Sequence, residues 1–168
     1  MDFPRILTLI VAAPLCALTL GAMAQAPLAP PPQIPYGTPI STEEAKRAAA
    51  AAIAEARRRN WNMAVALVDT GGYLVYFERM PNTQLGSIDL AVEKARAAAL
   101  FRRPTKVFQD AVAAGGDGLR VLRLTGTIPN EGGVPIIVKG QLIGAIGISG
   151  GSGDQDGQAA NAGASALK

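Results

Sequence analysis

The chain has 168 residues, with 16 lysines and arginines, 13 aspartates and glutamates, no histidine and one cysteine, for a formal charge of +3. So small an excess of scattered basic residues argues against a nucleic-acid partner. With no histidine and Cys16 the single thiol, every Cys/His metal site and every Ser-His-Asp triad is excluded.

The N-terminus carries an address. Ile6 to Leu20 are almost wholly apolar and Ala22-Met23-Ala24 precedes Gln25, the pattern of a secretory signal peptide with an A-x-A cleavage site. That run contains Pro14 and falls short of the ~20 apolar residues that span a bilayer. Residues 1–24 are therefore read as a cleaved signal, and the mature protein as periplasmic or secreted, free of the membrane after cleavage. Cys16 leaves with the signal, and Ala13-Pro14-Leu15-Cys16 lacks the pattern for lipid attachment. From residue 25 to residue 40, prolines at 27, 30, 31, 32, 35 and 39 favour extended polyproline II, and the stretch is read as a spacer. Residues 41–168 remain as one domain, large enough to bury about two thirds of its unfolded surface.

That domain opens on Ser41-Thr42-Glu43-Glu44, a capping box before a helix from about Thr42 to Arg59. Its inner stripe is small (Ala45, Ala48, Ala49, Ala52, Ile53, Ala56), while Arg57 to Arg59 suit the negative end of the helix dipole. Ala64 to Val68 and Tyr73 to Phe77 flank Asp69-Thr70-Gly71-Gly72 as a hairpin. Both its faces are substantially apolar, so helices must cover the sheet on both sides. The next helix runs from Ser87 to about Phe101, with Ile88, Ala91, Val92, Ala95, Ala98 and Ala99 as its apolar stripe. Lys94 interrupts an otherwise apolar row, where it either snorkels to water or meets an anion in a pocket.

Pro104 ends that segment and Thr105 caps a short helix over Lys106 to Ala114. Leu119 to Leu124 reads equally as strand or irregular chain. After a loop from Thr127 to Gly133, Val134 to Val138 and Leu142 to Ser149 form a second hairpin around Lys139-Gly140-Gln141. Glycines 144 and 147 inside its return strand mark close approach by another element, a packed helix before a ligand. Gly150-Gly151-Ser152-Gly153-Asp154 leads into a final alanine-rich helix ending near Leu167. Its exposed amides offer donors to an anion, but the spacing matches no nucleotide-binding loop.

Several segments together resemble the GlcG/HbpS family, which includes the C-terminal domain of PduO-type adenosyltransferases. They are Tyr73 to Met80, Ser87-Ile88 with Ala91 to Ala95, Arg103-Pro104-Thr105, Gly132-Gly133-Val134-Pro135-Ile136, and Gly144 to Gly151 with Asp154 and Asp156. The resemblance spans residues 41–168. It implies a profilin-like α/β (α+β) sandwich, an antiparallel sheet with helices on both faces, assembly into homo-oligomers such as octamers, and haem or related tetrapyrrole binding. Two departures stand out: Pro81-Asn82 replaces the Asp-Gly of many relatives, and no histidine is available for iron. Axial ligation falls to Met63, Met80, Tyr73, Tyr76, a threonine or water.

The resulting expectation is an exported, non-enzymatic binding protein for haem or another planar anionic ligand, with no catalytic residue assigned. Its site residues are Arg79, Lys94, Glu131, Gly132, Gly133, Ser149, Gly150, Gly151 and Asp156. Lys94 and Arg79 would offer charge to carboxylates, and the glycine loops backbone donors. Two other readings are an enzyme acting on a small acid or tetrapyrrole through Lys94, Glu131 and Asp156, and an assembly partner of an exported oxidoreductase.

Overall fold

The computed structural model describes residues 33–167; the signal segment and the first part of the proline-rich stretch lie outside them. Helix α1 spans Thr42–Arg58, strands β1 and β2 span Ala64–Asp69 and Leu74–Arg79, and α2 and α3 span Ser87–Phe101 and Lys106–Ala114. A 3-10 helix, Gly116–Arg123, precedes β3 (Gly133–Val138), β4 (Gln141–Ser149) and α4 (Gly153–Ser165). The four strands form one antiparallel sheet in the order β2-β1-β4-β3.

Alternation along the strands builds two cores, as expected for a sheet covered on both faces. Val65, Leu67, Ile136, Ile146 and Ile148 point to one face and pack with the alanine stripe of α1 and with Ala159, Ala160 and Ala164 of α4. On the other face, Ala64, Ala66, Val68 and Ala145 meet Ala91, Ala95, Ala98 and Ala99 of α2. That second layer is built almost entirely from alanine and valine, so α2 lies close to the sheet. Gly147 makes the approach possible: a Cβ there would overlap the Ala91 carbonyl oxygen and stand 2.9 Å from Ala95 Cβ.

The capping box forms as the sequence indicates, with Glu44 N–H donating to Ser41 Oγ at 3.3 Å and Ser41 N–H donating to Glu44 Oε2 at 2.9 Å. A second box caps α4, where Ser152 N–H donates to Gln155 Oε1 at 3.0 Å. Leu119 to Leu124 is neither strand nor irregular chain for most of its length, since the 3-10 helix takes it to Arg123.

The spacer reading needs correction over its described part. Leu142 N–H donates to Pro35 O at 2.9 Å, Gly37 N–H to Leu142 O at 2.8 Å and Ile40 N–H to Ile143 O at 2.7 Å. This segment flanks β4 beyond the end of β1, and Ile40 is buried against Gly144. Proline removes N–H donors but leaves carbonyls, so a proline-rich chain still pairs along an edge where its acceptors face the strand. Arg102 fastens the same segment, donating to Ile34 O at 3.0 Å with its guanidinium 5.0 Å from the centroid of the Tyr36 ring.

Candidate functional site

Most of the residues singled out by sequence converge at the start of β3, with the charged pair among them inside the protein. Lys94 is 0 % exposed. Its ammonium donates to Asp156 Oδ2 at 2.7 Å and to Ile148 O at 3.2 Å. Lys94 belongs to α2 and Asp156 to α4, helices on opposite faces of the sheet, so the ion pair ties the two layers together around the edge strand. Neither alternative for Lys94 holds: it does not snorkel, and the anion it meets is the protein's own carboxylate.

The glycines make room for this tie. Gly132 has φ +126°, and a Cβ there would lie 2.6 Å from Ile148 O, 2.8 Å from Asp156 Cβ and 3.0 Å from Lys94 Nζ. At Gly133 a Cβ would overlap the Lys94 carbonyl oxygen and stand 2.6 Å from Thr105 Cγ2. Gly151 N–H donates to Asp156 Oδ1 at 3.0 Å. Gly150 N–H also supports that carboxylate. The glycine-loop donors expected to face an anionic ligand are therefore turned inward.

Burial pushes the Asp156 carboxyl above the ordinary carboxylate range, and the hydrogen bond and charge of Lys94, with the loop amides, pull it part of the way back. Glu131 lies beside this cluster, half-buried, its N–H donating to Gln109 Oε1 at 2.9 Å. Burial raises its carboxyl too, against the pull of Lys106. Ser149 Oγ is buried and donates to Ser87 Oγ at 3.2 Å. Arg79 stays apart: it is exposed at the end of β2, paired across β1 with Ala64, whose other neighbour is Ser149.

Sequence reasoning missed Thr105. It stands at the start of α3 without capping it; instead its hydroxyl accepts from Gly133 N–H at 2.9 Å and its N–H donates to Gly133 O at 3.0 Å. The fully buried side chain thereby clamps β3 to α3. Ser87 and Gln109 were missed as well. Among the described residues no three His, Cys, Asp or Glu side chains gather in a way that could hold a metal, and no helix is long and apolar enough to cross a membrane.

A four-stranded antiparallel sheet with helices on both faces, crossed by a buried Lys-Asp tie beside a Gly-Gly turn, defines an α/β sandwich. The family model described as "Haem degrading protein HbpS-like" matches residues 40–165, and the chain belongs to that family. Protein GlcG of Escherichia coli strain K12 is 40% identical over 110 residues, covering 66% of this chain and 81% of GlcG. A double mutant of HbpS from Streptomyces reticuli superposes with a TM-score of 0.71 at 32% identity, covering 86% of this chain and 99% of that one. The PduOC:heme complex gives a TM-score of 0.70 at 29% identity, covering 78% of this chain and 96% of PduOC.

Proposed function

We propose that this protein is an exported, non-enzymatic binding protein for haem or a related planar tetrapyrrole, working as a homo-oligomer. The observation that carries the reading is family membership together with a fold shared at 29% identity with PduOC in its heme complex. The non-enzymatic part is supported by the interior pairing of Lys94 with Asp156, which neutralises the strongest acid-base candidates away from solvent. Export is supported by the apolar N-terminal run and its A-x-A sequence.

The fit to haem is restricted. The sequence has no histidine. Met63 and Met80 are core side chains at 0% and 7% exposure, and the Tyr76 hydroxyl donates to Glu78 Oε2 at 2.9 Å. A buried haem ligated by the protein does not fit the described residues of one protomer. Among the described residues, Tyr73, 71% exposed at the hairpin turn, is the aromatic hydroxyl that reaches solvent unengaged, so it or water would supply an oxygen donor to the iron of a ring held at the surface. Arg79, the expected site cation, is exposed but stands at the other end of β2, roughly 20 Å along the strand from Tyr73, and so does not serve a ring held at the hairpin turn.

Titration of the purified protein with haemin tests this. The expected result is saturable binding with a high-spin absorbance spectrum, altered in Tyr73→Phe. No saturable binding would reject the function, and a low-spin spectrum typical of two nitrogen ligands would reject the ligation.

A further inference from the structure

A pocket of 350 Å³ opens where three loops meet: the α1–β1 connection with Trp61 and Asn62, the β2–α2 connection with Asn82 and Gln84, and the start of α4 with Gln155. It lies at the far end of β2 from Tyr73, remote from the proposed haem contact. Its volume is at the small end of the range for ligand pockets, about 300–1,000 Å³. No charged side chain lines it.

We infer that this pocket binds a small, uncharged, hydroxyl-rich molecule, a monosaccharide or polyol. The lining is dominated by carboxamides. Each offers both a donor and an acceptor, which is also what each ligand hydroxyl offers. Among the described residues, no side-chain hydrogen bond engages Asn62 or Asn82, while the two glutamines are half-used. Gln84 Nε2 donates to Ser87 Oγ at 3.0 Å, leaving its oxygen free, and Gln155 Oε1 accepts from Ser152 N–H at 3.0 Å, leaving its amino group free. The two glutamines are thus each held by one hydrogen bond with a polar group to spare, and the two asparagines keep both donor and acceptor open to a ligand.

Charged ligands are disfavoured for a specific reason. The Gly150-Gly151 amides, which would otherwise receive an anion at the pocket wall, are turned to Asp156. Arg59 stands 5.2 Å from the centroid of the Trp61 ring but is paired with Glu55 Oε1 at 2.5 Å. Among the described residues, no acidic side chain lines the pocket to face a cation either. Asn82 has φ +64°, a conformation glycine adopts without strain; the asparagine adds a carboxamide to the pocket that the turn itself does not require.

Trp61 is the chain's single tryptophan, so its emission reports on occupancy directly. D-Glucose and glycerol are titrated into the full mature protein, with D-gluconate and D-glucosamine as charged counterparts. The expected result is a saturable emission change with glucose or glycerol, about tenfold weaker for the charged pair. Asn82→Gly, which keeps the turn, should weaken the neutral ligand about tenfold, as should Asn62→Ala, the size expected for losing one or two ligand hydrogen bonds. Haemin binding should be unchanged in both variants, which separates this pocket from the haem reading. No saturable response to either neutral probe, an equal or stronger response to a charged one, or unaltered neutral affinity in both variants would overturn the assignment.

Discussion

Asp156 receives Lys94 on one oxygen and Gly151 on the other, yet burial still holds its carboxyl above the value of 3.8 that it has when free. A carboxyl raised on folding costs stability once it ionises in the folded state, and that cost is withdrawn as pH falls through the folded value towards the unfolded one. Lys94 moderates the cost. In Lys94→Met the carboxylate loses its cation, the folded pKa rises further, and the penalty reaches to higher pH. Urea unfolding should find Lys94→Met destabilised by about 3–5 kcal/mol at neutral pH, as for other buried pairs broken on one side. The deficit should shrink towards pH ~4, where the carboxyl nears its unfolded protonation state. Lys94→Met/Asp156→Asn should regain part of the loss at neutral pH. A deficit that did not vary with pH would place its origin in packing around the lysine stem, not in the stranded charge.

The helices and strands were legible because their signals are local. Ser41 and Glu44 are three residues apart, the alanine stripes have helical period, and Gly71-Gly72 and Lys139-Gly140 punctuate the hairpins, so the expected segments differ from the observed ones by a residue or two at most ends. The Ser152-Gln155 box was equally local and could have been read from its spacing. Thr105 could not: its partner Gly133 is 28 residues away, and a threonine before a helix looks like a cap whether or not its hydroxyl is taken elsewhere. The Lys94-Asp156 pair spans 62 residues. Family topology brought the two to one place, but only the packing of α2 and α4 around the edge strand reveals that they meet each other and not a ligand. Gly147 was legible as a close-approach position, and it yields a sharp expectation. Gly147→Ala must push α2 off the sheet, because the colliding atoms are backbone, so denaturation should find a loss of at least about 1–3 kcal/mol. Ser41→Ala, which removes the α1 cap without touching the core, should cost about 1 kcal/mol. Equal costs for the two would indicate that α2 has room to relax.

At the scale of the whole molecule, the segment after α3 is poorly covered. The 3-10 helix packs on α3, and Leu119, Leu122 and Leu124 remain 48%, 59% and 52% exposed, with Val107 of α3 also open. Scattered surface leucines are ordinary, but three within six residues, two on a helix with no buried residue of its own and the third just after it, form an apolar ridge of the kind that another subunit covers. The proposed homo-oligomer gives that ridge its occupant, a second copy of the chain. Light scattering of mature protein, whose intact mass should correspond to a chain beginning at Gln25, is expected to give a multimer at concentrations on the order of tens of micromolar, where an obligate interface persists. Leu119→Glu/Leu122→Glu should shift the population towards monomer, since it buries two charges in the contact. Because these side chains contribute little to either core, the helical signal should be unchanged. A monomeric parent protein would reject the assembly, and an unchanged multimer in the charged variant would move the interface away from this ridge to another face of the domain.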